Sequence, residues 1–209
     1  MDLVLIGAGG HARVVLDILL VRNEHRIVGA LDADPALVGT KIHGVEVLGP
    51  IQLLEKLRRQ QHARGAIVAI GDNRVRRGYL RELDMAGLDA VNAIHPWSSV
   101  SPRATLGRNV VICAGAIVCI GAQIGDSAIL NTGCRVDHEC VVGEAAHLAP
   151  NATLAGRVTV GAEAFIGMGA NVIQCRSIGD GAMIAAGAVV TRDVAAGARV
   201  AGVPARLMR

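Results

Sequence analysis

The chain has 209 residues, of which 52% are apolar but only 1% aromatic, and it carries a formal charge of +3. This small charge and the single Trp, Tyr and Phe residues exclude a basic, base-stacking surface, so nucleic acid is not an expected partner. The N-terminus lacks the pattern of a signal peptide, and no uncharged apolar run reaches about 18 residues, so we expect a cytoplasmic protein without membrane insertion.

Strand-like and helix-like stretches alternate in residues 1–97. The predicted strands cover residues 3–7, 26–32 and 65–71, and the predicted helices cover residues 11–22, 50–61 and 73–87. This alternation is typical of an α/β domain with a small parallel, Rossmann-like sheet. We predict one such domain over residues 1–97.

A glycine-rich loop follows the first predicted strand. The segment Gly7-Ala8-Gly9-Gly10-His11-Ala12 matches the GxGxxG/A fingerprint, and Asp32 closes the second strand. Backbone N–H groups at a helix start can bind a phosphate or a nucleotide, with Asp32 reaching a ribose or base. The alternative is a tight turn that only needs glycine. A second loop, containing Asn73, is expected at the same edge of the sheet, where both loops could bind one ligand.

A period of six residues dominates the second half of the chain. From Val100 to Val190, every sixth residue is Val, Ile or Leu, and a mostly small residue recurs two positions earlier. Six residues do not return to the same face of an α-helix, whereas this spacing is typical of the hexapeptide β-helix. Three hexapeptides would close one coil of about 18 residues. We predict a parallel β-helix over residues 98–209.

Two histidines occur within the repeats at registers that face outward. His138 precedes Glu139, and an imidazole beside a carboxylate can act as a general base, although it can also be a solvated surface residue. Gly156 follows His138 by 18 residues, which leaves the space above His138 free of a side chain and offers an N–H group for an oxyanion. His147 lies half a coil from His138, so a shared site would need two subunits, most simply in a ring of three.

The motifs together resemble a known family. Residues 100–204 resemble the hexapeptide-repeat acyltransferases. The chain from the glycine-rich loop to the closing AGVPAR resembles the sugar acetyltransferases that include bacillosamine and perosamine N-acetyltransferases and sialic acid O-acetyltransferases. AGVPAR and the His138-Glu139 pair ahead of the Gly143-Glu144 turn carry this resemblance. It implies a left-handed β-helix, a homotrimer, acetyl-CoA bound between adjacent β-helices, and a nucleotide-linked amino sugar as acceptor.

The resemblance also implies roles for individual residues. His138 would remove a proton from the sugar amine or hydroxyl, with Glu139 as its partner, and Asn131 would bind the sugar. His147 and the Gly156 amide would meet the acetyl and pantetheine end of the cofactor. Backbone of four residues would line the rest of the groove: Gly167, Met168, Ala185 and Ala186. The nucleotide would be held by Gly9, Gly10, His11 and Asp32.

Other functions explain less of the sequence. A sugar hydroxyl, on sialic acid or another sugar, is the alternative acceptor within the same family. A nicotinamide oxidoreductase would explain the glycine-rich loop and Asp32, but only one mononucleotide-sized half is present. A zinc enzyme would need three histidine ligands, and the five cysteines form no CxxC pair, so no metal site is predicted. A purely structural β-helix would leave the cluster of His138, Glu139 and His147 unexplained.

Overall fold

The computed structural model describes residues 1–60 and 62–208. It divides into two units, Met1–Pro96 and Trp97–Arg209. The boundary between the units falls one residue before the one proposed from the sequence. Within the described residues, none of the helices has the length and apolar content that crossing a bilayer requires.

The first unit is an α/β domain around a six-stranded sheet with the order β3-β4-β2-β1-β5-β6. Its strands are β1 (Asp2–Ile6), β2 (Arg26–Leu31), β3 (Lys41–Ile42), β4 (Val45–Gly49), β5 (Gly65–Val68) and β6 (Asp89–Ala90), and β7 (Ala93–Ile94) ends the unit. Its helices are α1 (Gly10–Arg22), α2 (Leu54–Gln60) and α3 (Asn73–Ala86), with 3-10 turns at Pro35–Leu37 and Ile51–Leu53. All pairings in the sheet are parallel except the β3–β4 hairpin.

The central strand β1 is buried on both faces, as parallel sheets require. Leu3, Val4 and Leu5 are fully buried, which explains why this strand consists of consecutive aliphatic residues. Helix α3 begins after Asp72, whose Oδ1 accepts the N–H of Val75 at 2.9 Å, and it ends at Gly87 in the left-handed conformation. Because β1 and β5 pair in parallel, the end of β5 and the start of α3 lie at the same edge of the sheet as the glycine-rich loop.

The predicted alternation of strands and helices is confirmed, with differences in the bounds and in the number of strands. The strand predicted over residues 65–71 ends at Val68. Residues 50–53 form a turn and a 3-10 segment, so the second helix starts at Leu54; its predicted last residue, Gln61, lies outside the described residues. The β3–β4 hairpin and β6 were not predicted from the sequence. Strands of two residues, such as β3 and β6, are too short to show a period in the sequence.

The second unit is a parallel β-helix with three walls, built of parallel strands about one coil apart, except that the last strand of wall 3 pairs antiparallel with its neighbour. Wall 1 contains β8 (Ser99–Val100), β11 (Ile117–Val118), β14 (Arg135–Val136), β17 (Thr153–Leu154), β20 (Asn171–Val172) and β23 (Val189–Val190). Wall 2 contains β9 (Thr105–Leu106), β12 (Gln123–Ile124), β15 (Val141–Val142), β18 (Thr159–Val160) and β21 (Ser177–Ile178). Wall 3 contains, within this unit, β10 (Val111–Ile112), β13 (Ile129–Leu130), β16 (His147–Leu148), β19 (Phe165–Ile166), β22 (Met183–Ile184), β24 (Arg199–Ala201) and β25 (Arg206–Leu207).

The sixfold apolar positions fill the inside of the coil. From Ile112 to Val190, every member of that series is buried, and strand pairs such as Ile129 with His147 are 18 residues apart. The predicted fold class, an α/β domain followed by a left-handed parallel β-helix, is confirmed. The polar side chains lie at the corners and on the outer faces of the walls. We call the corner after wall 1 corner 1 (residues 119–122, 137–140, 155–158) and the corner after wall 3 corner 3 (residues 131–134, 149–152, 167–170, 185–188).

Candidate active site

His138 and Glu139 form a pair in corner 1, directly after β14. Nδ1 of His138 lies 3.1 Å from Oε2 of Glu139, and the side chains are 45% and 63% exposed. The N–H of His138 donates to Oδ1 of Asp137 at 2.7 Å, which holds the start of the corner. Because a carboxylate at Nδ1 favours the tautomer with its proton there, Nε2 of His138 is the nitrogen that can accept a proton.

Gly156 lies one coil above His138, and the imidazole ring occupies the space that a side chain at this position would fill. An ideal Cβ on Gly156 would be 2.6 Å from Cε1 of His138 and closer still to Nε2. The space expected to be open above His138 is therefore taken by the ring itself. The Gly156 carbonyl accepts the N–H of Cys175 at 3.0 Å, whereas the Gly156 N–H makes no hydrogen bond within the part of the chain that the structure describes.

His147 belongs to a different surface, the outer face of wall 3. It is paired with Ile129 on one side and Phe165 on the other. Nε2 of His147 is 3.2 Å from Nδ2 of Asn131, and the rings of His147 and Phe165 meet edge to face with centroids 5.2 Å apart. Oδ1 of Asn131 accepts the N–H of Thr132 at 2.8 Å, so the Asn131 amide is held at both ends.

A groove of about 440 Å³ runs along wall 3 and corner 3. Its lining is mainly apolar and combines outward side chains of wall 3 with the backbone of corner 3. The lining residues are Asn131, His147, Ala149, Pro150, Phe165, Gly167, Met168, Met183, Ile184, Ala185 and Ala186. The structure thus brings together all the sequence-predicted residues of this region: Asn131, His147, Gly167, Met168, Ala185 and Ala186.

Sequence reasoning missed Phe165 and Met183 in this groove. Both lie in register with His147, 18 and 36 residues later, so the repeat that located His147 could have identified them. His138 and Gly156, by contrast, lie in corner 1 and are not part of the groove lining. One copy of the chain therefore keeps the His138 pair and the His147 groove on different surfaces of the β-helix.

The glycine-rich loop of the first unit is shaped by Gly7 and Asp32. Gly7 has a φ of 112°, and a Cβ there would lie 2.9 Å from the Ala69 carbonyl oxygen, so this position requires glycine. Gly9 and Gly10 have open space around them, so packing does not explain their lack of a side chain. The carboxylate of Asp32 accepts the N–H of Ala8 at 2.6 Å through Oδ2 and that of Asp34 at 2.9 Å through Oδ1. Asp32 therefore holds the loop, a role that its position in the sequence did not reveal.

His11 and Asn73 lie near a buried cation that sequence reasoning also missed. Arg76 is 0% exposed, and its guanidinium donates to the carbonyls of Ile70 and Gly71 and to Oδ1 of Asn73. Burial, and after it the charge of Arg76, lower the pKa of His11 to about 4. His11 is consequently an uncharged imidazole near pH 7.

The described residues contain neither a metal-binding cluster nor a disulfide. Within residues 1–60 and 62–208, no three His, Cys, Asp or Glu side chains lie close enough together to hold a metal ion. All five cysteines are free thiols. Burial raises the pKa of Cys113 to about 11 and that of Cys134 to about 12, so these two remain protonated and unreactive at neutral pH.

Comparison with known proteins gives the same fold and the same order of domains. The PglD N-terminal domain family matches residues 2–83. PerB from Caulobacter crescentus, solved in complex with CoA and GDP-perosamine, is 43% identical, covers 100% of this chain and 98% of its own, and superposes with a TM-score of 0.94. The chain belongs to the hexapeptide-repeat sugar acetyltransferases. This family membership is the one predicted from the glycine-rich loop, the His138-Glu139 pair and AGVPAR.

Two further members of the family extend the comparison. The acetyltransferase domain of PglB from Neisseria gonorrhoeae, solved with acetyl coenzyme A, is 34% identical over 99% of this chain and 98% of that one, with a TM-score of 0.91. UDP-N-acetylbacillosamine N-acetyltransferase of Bacillus subtilis is 34% identical over 114 residues, 54% of this chain. That match spans about half the length of the Bacillus relative, 51%.

Proposed function

We propose that the chain is an acetyl-CoA-dependent N-acetyltransferase that acts on the amino group of a nucleotide-linked amino-deoxy sugar. The observation that carries the proposal is the His138-Glu139 pair, with Nε2 as the free acceptor, in a chain that aligns over its whole length with a structure solved with CoA and GDP-perosamine. The Bacillus relative, named for a UDP-linked sugar, supports the same class of acceptor.

The reaction that fits this pair is direct acyl transfer. The sugar amine attacks the thioester carbonyl carbon of acetyl-CoA, a C–N bond forms, and the C–S bond breaks. Nε2 of His138 takes the proton that the amine loses, and the imidazolium returns that proton to the CoA thiolate as the C–S bond breaks. Glu139 stabilises the imidazolium that forms, and the Gly156 N–H stabilises the oxyanion on the carbonyl oxygen.

The groove along wall 3 supports the assignment of a cofactor site. Pantetheine is a narrow chain of methylene and amide groups, which suits a mainly apolar groove whose corner residues present backbone polar groups. In our proposal, His147 and Phe165 meet its thiol end, Asn131 contacts the sugar, and the backbone at Gly167, Met168, Ala185 and Ala186 lines the rest. Gly9, Gly10, His11, Asp32 and Asn73 of the first unit hold the nucleotide.

A homotrimer completes this proposal. The base and the groove lie on different surfaces of one β-helix, so a working site needs corner 1 of one copy and the groove of the next, and a closed ring of three satisfies every copy. The five free thiols support a reducing compartment, so we assign the enzyme to the cytoplasm. Native mass spectrometry should give a mass three times that of one chain. A monomer with full activity would contradict a shared site.

The decisive test is release of the CoA thiol with a panel of acceptors. The panel should contain UDP- and GDP-linked amino sugars, the same nucleotide sugars with a hydroxyl in place of the amine, and free sialic acid. We expect turnover only with the amino sugars, and mass spectrometry should place the acetyl group on nitrogen. Activity confined to hydroxyl acceptors or to sugars without a nucleotide would refute the proposal.

A further inference from the structure

Arg76 is the largest fully buried side chain among the described residues, and it lies beside the loops that we assign to the nucleotide. Arginine is rarely buried completely, because its guanidinium loses its hydration and needs a full set of acceptors in exchange. Here Nη1 lies 3.0 Å from the carbonyl oxygens of Ile70 and Gly71, and Nη2 lies 2.8 Å from Oδ1 of Asn73. Burial lowers the pKa of Arg76, and the nearby carboxylate of Asp72 opposes this shift.

Ile70 and Gly71 belong to the loop between β5 and α3, and Asn73 is the first residue of α3. The hydrogen bonds from Arg76 to the two backbone carbonyls fix the path of the loop. Its hydrogen bond to Oδ1 fixes the orientation of the Asn73 amide. A planar guanidinium has donors that point in several fixed directions at once, whereas a lysine ammonium is a compact point charge. The loop geometry therefore depends on the shape of the Arg76 head group as well as on its charge.

The charge of Arg76 also acts on the glycine-rich loop, through His11. The loop after β1 packs on the loop after β5, since the N–H of Ala69 donates to Ile6 at 2.7 Å and Gly7 faces the Ala69 carbonyl. Arg76 contributes to the lowered pKa of His11, while its own pKa is lowered only to about 10. At neutral pH one buried, charged guanidinium thus lies among both loops beside an uncharged His11.

We propose that Arg76 is a positioning residue for the nucleotide end of the sugar substrate and that it acts through the loop Ile70–Asn73 and the Asn73 amide. This inference rests on the proposed function, since it concerns the binding of the nucleotide-linked acceptor. The inference predicts different effects on the two substrates of the enzyme. Disturbing Arg76 weakens binding of the nucleotide sugar and leaves acetyl-CoA binding and the transfer step unchanged.

Arg76→Lys tests the inference, with Arg81→Lys on the exposed part of the same helix as the matched control. We expect the KM for the nucleotide amino sugar to rise about tenfold, the effect of one misplaced charged hydrogen bond. The kcat at saturation and the KM for acetyl-CoA should stay at the wild-type values, and Arg81→Lys should match wild type throughout. A folded Arg76→Lys enzyme with an unchanged sugar KM would overturn the inference, and so would an equal loss for both substrates.

A double variant tests whether Arg76 acts through Asn73. Asn73→Ala should raise the sugar KM, and adding Arg76→Lys should raise it little further, whereas two independent contributions would multiply. If Arg76→Lys does not fold, an unchanged sugar KM in Asn73→Ala overturns the inference by itself. Calorimetric titration of wild type and variants with GDP and UDP separates the two proposals. Weaker nucleotide binding in Arg76→Lys supports the inference even if no amino sugar is acetylated, an outcome that would refute only the proposed function.

Discussion

Gly156→Ala should abolish most of the activity without unfolding the β-helix. A Cβ at this position would lie 2.6 Å from Cε1 and 3.1 Å from Cδ2 of His138, whereas carbon atoms in ordinary contact are about 3.5 to 4.0 Å apart. The imidazole must therefore move by about 1 Å, and a displacement of that size at a reacting group can lower a rate about 10²-fold. Gly156 does not have a left-handed φ, so alanine fits its backbone. Alanine lowers the conformational entropy of the unfolded chain and so stabilises the folded protein by about 0.4 to 1 kcal/mol. This offsets the cost of moving the imidazole out of its preferred rotamer, about 0.5 to 1.5 kcal/mol.

The assay compares kcat/KM for thiol release in four proteins: wild type, Gly156→Ala, His138→Ala and the double variant. Because the added methyl group acts only through the imidazole, the double variant should be as active as His138→Ala. Thermal unfolding should show little change in Tm for Gly156→Ala, and Gly78→Ala, at a helical glycine with open space, is the control for adding a methyl group. Undiminished activity in Gly156→Ala, or a double variant about 10²-fold slower than His138→Ala, would refute the steric argument.

Four other outcomes follow from the structure. His138→Ala should lower kcat about 10²- to 10⁴-fold in the thiol-release assay because it removes the base, and an unchanged kcat would exclude that role. Phe165→Ala should raise the KM for acetyl-CoA about tenfold, since it removes the ring packed on His147; an unaltered KM would count against the groove as the cofactor site. Asp32→Ala should lower the free energy of unfolding by about 2 kcal/mol, because two N–H groups lose a charged acceptor, and a urea titration with an unshifted midpoint would contradict this. The pKa of His11 falls from 6.5 to about 4 on folding, so the unfolded chain binds more protons between these values and stability drops as the pH falls through this window. In His11→Gln, the urea midpoints measured near pH 7 and near pH 4.5 should lie closer together than they do in wild type. If the midpoints of both proteins change equally with pH, His11 is not the cause.

The β-helix could be predicted from the sequence because its determinant repeats. Each coil needs aliphatic side chains at the same inward positions, so one local requirement recurs through the chain and becomes visible as a period. The same period placed His138 and His147 on the outside and half a coil apart, and it placed Gly156 one coil above His138. Every member of that sixfold series from Ile112 to Val190 is buried as the period requires.

The tertiary structure decided the features that depend on side-chain direction and on residues distant in sequence. The period places Gly156 over His138, but only the rotamer of His138 determines that its ring fills the space of the missing side chain. Asp32 follows its strand as a ribose-binding residue would, yet its carboxylate holds the Ala8 amide 24 residues away. Arg76 is one of several arginines in α3, and only the packing of the loops after β1 and β5 makes it the buried one. The repeat is visible in the sequence because it recurs along the chain, whereas burial, orientation and hydrogen bonding between distant segments arise only when the chain folds.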